Sequence, residues 1–198
     1  KRHLRIPLFL LISLLNSLAS YASNEMSFHQ LGVKTGMSDN YIQAIERDKY
    51  GFMWFATRDG LNRYDGYHFK TYTTLRQGAY NNSVEWVAED AAGNIWIKTP
   101  VNYCFYDREM DELDNRTELL LHKIGIFESP RQLFIDDDKN LWCVANNTLY
   151  YYIFSDETLY KQSLPGSVNI ADMACRNKRC YILMTDGNVI NIDWMHKS

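Results

Sequence analysis

Asp136, Asp137, Asp138 and Asn140 place four oxygen-bearing side chains within five residues, the density with which a calcium-binding loop begins. Such a loop needs a glycine at its sixth position and a bidentate glutamate at its twelfth. Leu141 and Asn147 stand there instead, so the run reads as a solvated hairpin turn. The five histidines (His3, His29, His68, His122 and His196) are scattered, and none lies at ligand spacing from another. Cys104, Cys143, Cys175 and Cys180 include no Cys-x-x-Cys pair. Cys175 and Cys180 could close a small loop in an oxidising compartment, but small apolar strand residues is the reading that suits all four. No Gly-x-Ser-x-Gly elbow, phosphate loop or His-Glu-x-x-His helix occurs. The carboxylates Asp111 and Glu112 sit in a polar connection with no partner in sequence. The residues therefore nominate no catalytic group, no metal site and no cofactor.

The elements that would position any site come from internal repetition. Four segments share one plan: an apolar strand, a polar turn, a strand bearing an aromatic, a second turn and another strand. They begin at Tyr41, Val84, Arg131 and Ile170, the last being degenerate. Their aromatic anchors are Trp54, Trp96, Trp142 and Tyr181, spaced by 42, 46 and 39 residues. That spacing is the range of one four-stranded propeller blade. Asp48, Asp90 and Asp136 each stand six residues before a Trp, and Gly51 and Gly93 stand three before. Asp and Gly there suit a tight turn between antiparallel strands, where positive φ is tolerated. The third copy has Lys139 instead, with Asn140 beside it to take the turn role. Strands such as Phe52–Thr57 are apolar on both faces, as required when sheets cover each other on both sides. The expected fold is all-β, with about four blade units over 38–78, 80–125, 128–165 and 168–198. Met26–Leu31 is the natural strand to complete a final blade, but the expected form is an incomplete propeller, an arc with an unpaired edge, rather than a closed four-bladed ring.

Lys1, Arg2 and Arg5 precede an apolar stretch over 6–18, and Ser20-Tyr21-Ala22 supplies small residues before Ser23. This reads as an exported chain with a signal peptide over 1–22, cleaved between Ala22 and Ser23, leaving a propeller segment over 23–198. The apolar run is short for a membrane span. The formal net charge is −3, and no Lys/Arg cluster follows residue 5, which excludes a nucleic-acid footprint.

From Gly51 through Thr57-Arg58-Asp59-Gly60-Leu61-Asn62-Arg63-Tyr64-Asp65-Gly66, the sequence resembles the two-component regulator propeller repeat. The preceding 31–40 stretch looks like that family's entry into its first blade. The likeness is close over 28–73, looser over 84–107 and 131–154, and faint over 170–193. It implies the periplasmic sensor region of a Bacteroidetes hybrid two-component system, of which this chain is the N-terminal part. The family layout implies further sensor domains, a membrane helix and a kinase downstream in the same polypeptide, and a homodimeric receptor. It also implies an input of oligosaccharides from glycan breakdown. The implied function is therefore ligand sensing without turnover. The competing readings are an extracytoplasmic propeller lyase or hydrolase acting on glycans, and a protein-interaction scaffold.

A ligand would meet the loop-lined end of the channel. Arg58, Asp59, Arg76, Tyr80, Asn81 and Trp86 are the candidate binding residues, because guanidinium groups and rings suit hydroxyl-rich or acidic sugars.

Overall fold

The computed structural model describes residues 27–74, 82–166 and 169–194. The expected signal peptide and its cleavage site at Ala22 and Ser23 lie outside these residues, as do Arg76, Tyr80 and Asn81. The chain divides after Gln30, and residues 27–30 carry no helix or strand. Leu31 is likewise outside any strand, so the closing strand expected over 26–31 is not formed by its described residues. A strand exists only by pairing its backbone with a neighbour, and no ladder reaches this stretch.

From Leu31 onward the described residues build four antiparallel sheets, one after another. The first contains β1 (Ile42–Arg47), β2 (Met53–Thr57), β3 (Gly60–Tyr64) and β4 (Phe69–Tyr72). The second contains β5 (Trp86–Glu89), β6 (Ile95–Lys98), β7 (Tyr103–Asp107) and β8 (Glu112–Asp114). The third contains β9 (Gln132–Ile135), β10 (Leu141–Ala145), β11 (Thr148–Ile153) and β12 (Thr158–Ser163). The fourth has three strands among the described residues: β13 (Ile170–Arg176), β14 (Arg179–Met184) and β15 (Val189–Asp193). Each strand pairs with its chain neighbour, so every sheet is a meander. Among the described residues one short α-helix, α1 (Glu118–Leu121), runs into a 3-10 turn at His122–Ile124 between the second and third sheets.

Apolar alternation on both faces is what stacks these sheets. In β10, Leu141, Cys143 and Ala145 pack toward the second sheet, while Trp142 and Val144 pack toward the fourth. In β6, Ile95 and Ile97 face the first sheet and Trp96 faces the third. Trp54 and Ala56 of β2 face the second. Each Trp therefore points at the following sheet. Burying a large apolar side chain contributes about 1.5–3 kcal/mol, so this ladder is the main cement between sheets. Tyr181 holds the same register position in β14 and looks the same way, away from the third sheet. It is 46% exposed, and with Leu183 and Val189 it leaves an apolar stripe on that face.

The first strands lie innermost, with β1 against β5 and β9 against β13. Backbone bonds also cross between sheets, from Val84 N–H to the Thr57 carbonyl and from Ala91 N–H to the Lys139 carbonyl, both at 2.9 Å.

Candidate functional site

The turns between the first and second strands of each sheet show one construction three times. Asp48, Asp90 and Asp136 each donate their N–H to the carbonyl four residues on, at 3.0 Å. The aspartates' own carbonyls accept the N–H three residues on, from Gly51, Gly93 and Lys139. One carboxylate oxygen then accepts the backbone N–H of Phe52, Asn94 or Asn140. The other accepts the indole N–H of Trp54, Trp96 or Trp142, at 3.0, 2.8 and 2.8 Å. The aspartates are thus acceptors that bind turn to core, and not only turn formers. Gly51 and Gly93 adopt φ near +90°, at 92° and 91°. In the third turn Lys139, at φ 63°, takes the left-handed position expected of Asn140. Asn140 instead closes the turn through its N–H, because the left-handed residue must be the one three after the Asp. Burial pushes the carboxyl of Asp136 above its usual range, against the hydrogen bonds from Trp142 and the turn. These oxygens are occupied by protein donors, and no cluster of three or more His, Cys, Asp or Glu among the described residues is placed to hold a metal.

A second cluster joins the first two sheets. Asp111, at positive φ, accepts from the hydroxyls of Tyr72 and Tyr106 at 2.6 and 2.7 Å. It also accepts from Arg63 at 3.3 Å and from Lys70. Burial opposes its ionisation, but the bonds from Lys70, Tyr72 and Tyr106, with the charge of Arg63, hold its carboxyl well below the usual carboxylate range. Desolvation pushes the Tyr72 phenol far up, and the bond to Asp111 adds to it. Arg63 also lies over the rings of Phe52 and Tyr106, 4.8 and 5.7 Å from their centroids. The arrangement is an interlock of paired groups, not a poised acid–base pair.

The third grouping lies where the inner strands converge. Lys139 pairs with Glu46 of β1 and stands 3.9 Å from Glu89 of β5. Glu89 accepts the Lys49 N–H at 2.9 Å, and Arg108 reaches Asp48 at 3.2 Å. Beside these charges, β1, β5, β9 and the turn after β9 line an open cavity of about 560 Å³. Its walls include Ile45, Glu46, Trp86, Glu89, Asp137 and Lys139. An indole, carboxylates and an ammonium around one cavity are the group types that contact a sugar ring and its hydroxyls. A larger cleft of about 1310 Å³ lies between the first turns of the second, third and fourth sheets and the β11–β12 turn, where Tyr152, Phe154, Asp138, Asp156, Glu157 and Lys178 line it.

Of the binding candidates, the structure places Trp86 in the inner cavity. Arg58 and Asp59 form the β2–β3 turn and do not line that cavity. Arg58 stacks 3.5 Å over the Tyr41 ring, and Asp59 accepts the Asn82 amide at 3.0 Å. Both are committed to neighbours on the chain. Glu46, Glu89 and Lys139 were not legible as a group, because their meeting needs the stacking of three sheets.

Residues 36–59, from the entry turn through the β2–β3 turn, match the two-component regulator propeller family. A 37-residue stretch is 51% identical to histidine kinase P4 of Formosa agariphila, covering 19% of this chain and 3% of that protein. The extracellular domain of a protein assigned to a hybrid two-component system of B. thetaiotaomicron superposes with a TM-score of 0.56 at 22% identity. That superposition takes in 86% of this chain and 25% of the other, so the chain spans about a quarter of the solved domain. Virginiamycin B lyase from Staphylococcus aureus is a weaker likeness, at TM-score 0.45 and 14% identity over 80% of this chain and 57% of the lyase. The serial antiparallel sheets are β-propeller blades, and the chain carries at residues 36–59 a two-component regulator propeller repeat.

Proposed function

We propose that this chain is a sensory propeller segment on the extracytoplasmic side of a hybrid two-component regulator. It binds a glycan-derived oligosaccharide and passes a conformational input to the kinase of the same receptor, with no turnover of its own. The observation that carries the reading is the two-component regulator repeat in the first blade. The inner cavity supports the ligand class, because Trp86 lines it together with Glu46, Glu89 and Lys139. Binding fits this wall better than chemistry, since Lys139 is paired with Glu46 and stands close to Glu89.

The test is a thermal-shift and fluorescence titration of the purified chain with oligosaccharides released from starch, xylan and pectin. A binder raises the melting temperature, by an amount corresponding to about 2.7 kcal/mol at a hundred times its Kd. Trp86→Ala abolishes the shift, read against the variant's own unliganded melting point, which falls because Trp86 also packs half-buried against the core of the second and third sheets. Appearance of cleaved or unsaturated sugars in the same tubes refutes the non-enzymatic reading. Silence of the parent chain across the panel removes the oligosaccharide.

A further inference from the structure

The fourth blade lacks the tie that the other three share. Six residues before Tyr181, where the others have Asp, stands Cys175, and its first turn is the two-residue Asn177-Lys178. Both of those residues adopt positive φ, at 51° and 60°, the signature of a primed hairpin turn. In such a hairpin the pair flanking the turn, here Arg176 and Arg179, exchanges backbone hydrogen bonds. The next pair out is then a non-hydrogen-bonded pair, where side chains come closest. That pair is Cys175 and Cys180. Their sulfurs are 2.7 Å apart, and the residues are 6% and 0% exposed against Trp142 and Trp194. Opposed residues of this kind have α-carbons within the span a disulfide bridges. Cys104 and Cys143 are in different sheets and different core clusters, and burial pushes each thiol up to about 12.

We propose that Cys175 and Cys180 form a cross-strand disulfide that fastens the first turn of the fourth blade, in place of the Asp–Trp tie of the others. The step is thiol–disulfide exchange with a small-molecule or protein disulfide. The two thiols lose two protons and two electrons, one sulfur–sulfur bond forms, and the oxidant's own disulfide is reduced to two thiols. The inference stands on the register of β13 and β14, not on the sensor reading.

The whole chain is equilibrated in mixtures of reduced and oxidised glutathione, acid-quenched, alkylated under denaturing conditions and mapped by mass spectrometry. In the oxidised mixtures the free-thiol titre falls by half. The missing thiols are found as one linked peptide joining Cys175 to Cys180, while Cys104 and Cys143 are fully alkylated. The oxidised form melts higher than the reduced form, and the Cys175→Ser/Cys180→Ser double variant loses that difference. Alkylation of all four cysteines at every glutathione ratio, or glutathione held as a mixed disulfide on Cys175 or Cys180, overturns the proposal.

Discussion

The indole N–H of Trp142 donates to a carboxylate oxygen of Asp136 at 2.8 Å, from a tryptophan with no exposed surface to an aspartate 5% exposed. Replacing that oxygen by an amide NH2 turns acceptor into donor and sets two donors against each other. Asp136→Asn is expected to cost about 2 kcal/mol, within the range for a buried group left unsatisfied. Urea unfolding checks it, with Glu109→Ala on the exposed surface staying within about 0.5 kcal/mol of the parent.

The three tryptophans differ in what their aspartates keep when the indole is lost. Asp48 retains Arg108 on the same oxygen, and Asp90 retains the Asn94 amide. The corresponding oxygen of Asp136 has no second hydrogen bond among the described residues. Trp142→Phe is therefore expected to lose the most unfolding free energy in urea, exceeding Trp54→Phe and Trp96→Phe by about 1 kcal/mol. Equal losses in the three variants would mean that ring volume alone sets the cost.

Acid should loosen the joint between the first two blades. Asp111 is held ionised below the usual range, so its contribution is present above the ordinary carboxylate value and is lost as pH falls through its lower folded value. Asp136, with its carboxyl raised, contributes in the opposite sense: its share is present in acid and is lost as pH rises through the raised value. The urea midpoint followed from about pH 6 to about pH 2 is expected to fall below about pH 4. In Asp111→Asn that fall becomes shallower, and the midpoint at neutral pH is lower from the start.

Two glycines separate backbone conformation from crowding. Gly51 has φ 92°, and a methyl group added to its α-carbon would meet nothing within 4 Å. Gly60 has φ 114°, and a methyl there would lie 2.9 Å from the Tyr72 carbonyl. Gly51→Ala is expected to cost about 1–2 kcal/mol for the left-handed backbone alone. Gly60→Ala should cost more, because the β3–β4 pairing must also shift. Equal midpoints for the two variants in urea unfolding would rule out the steric contribution.

How much of this is legible in the sequence depends on distance along the chain. Trp54, Trp96 and Trp142 recur at blade spacing, so sheet count and strand order follow from periodicity. The Asp–Trp hydrogen bond is half visible: the six-residue interval stands in the sequence, but a hairpin turn explains the aspartates without it. Tolerance of positive φ argues for Asn140 in the third turn, whereas hydrogen-bond geometry puts Lys139 there. The Lys139–Glu46 pair spans 93 residues, and no local pattern could announce it. Asp111 looks like one acid among several, since its donors come from β3, β4 and β7.

Because every described sheet is a run of neighbouring hairpins, no strand waits for a distant partner. A nascent chain can complete the blade of Trp54 before the residues around Trp142 have been made. Short-range pairing of this kind favours rapid, stepwise acquisition of structure. Each finished blade then offers the next a ready apolar wall, so assembly proceeds in the direction of synthesis.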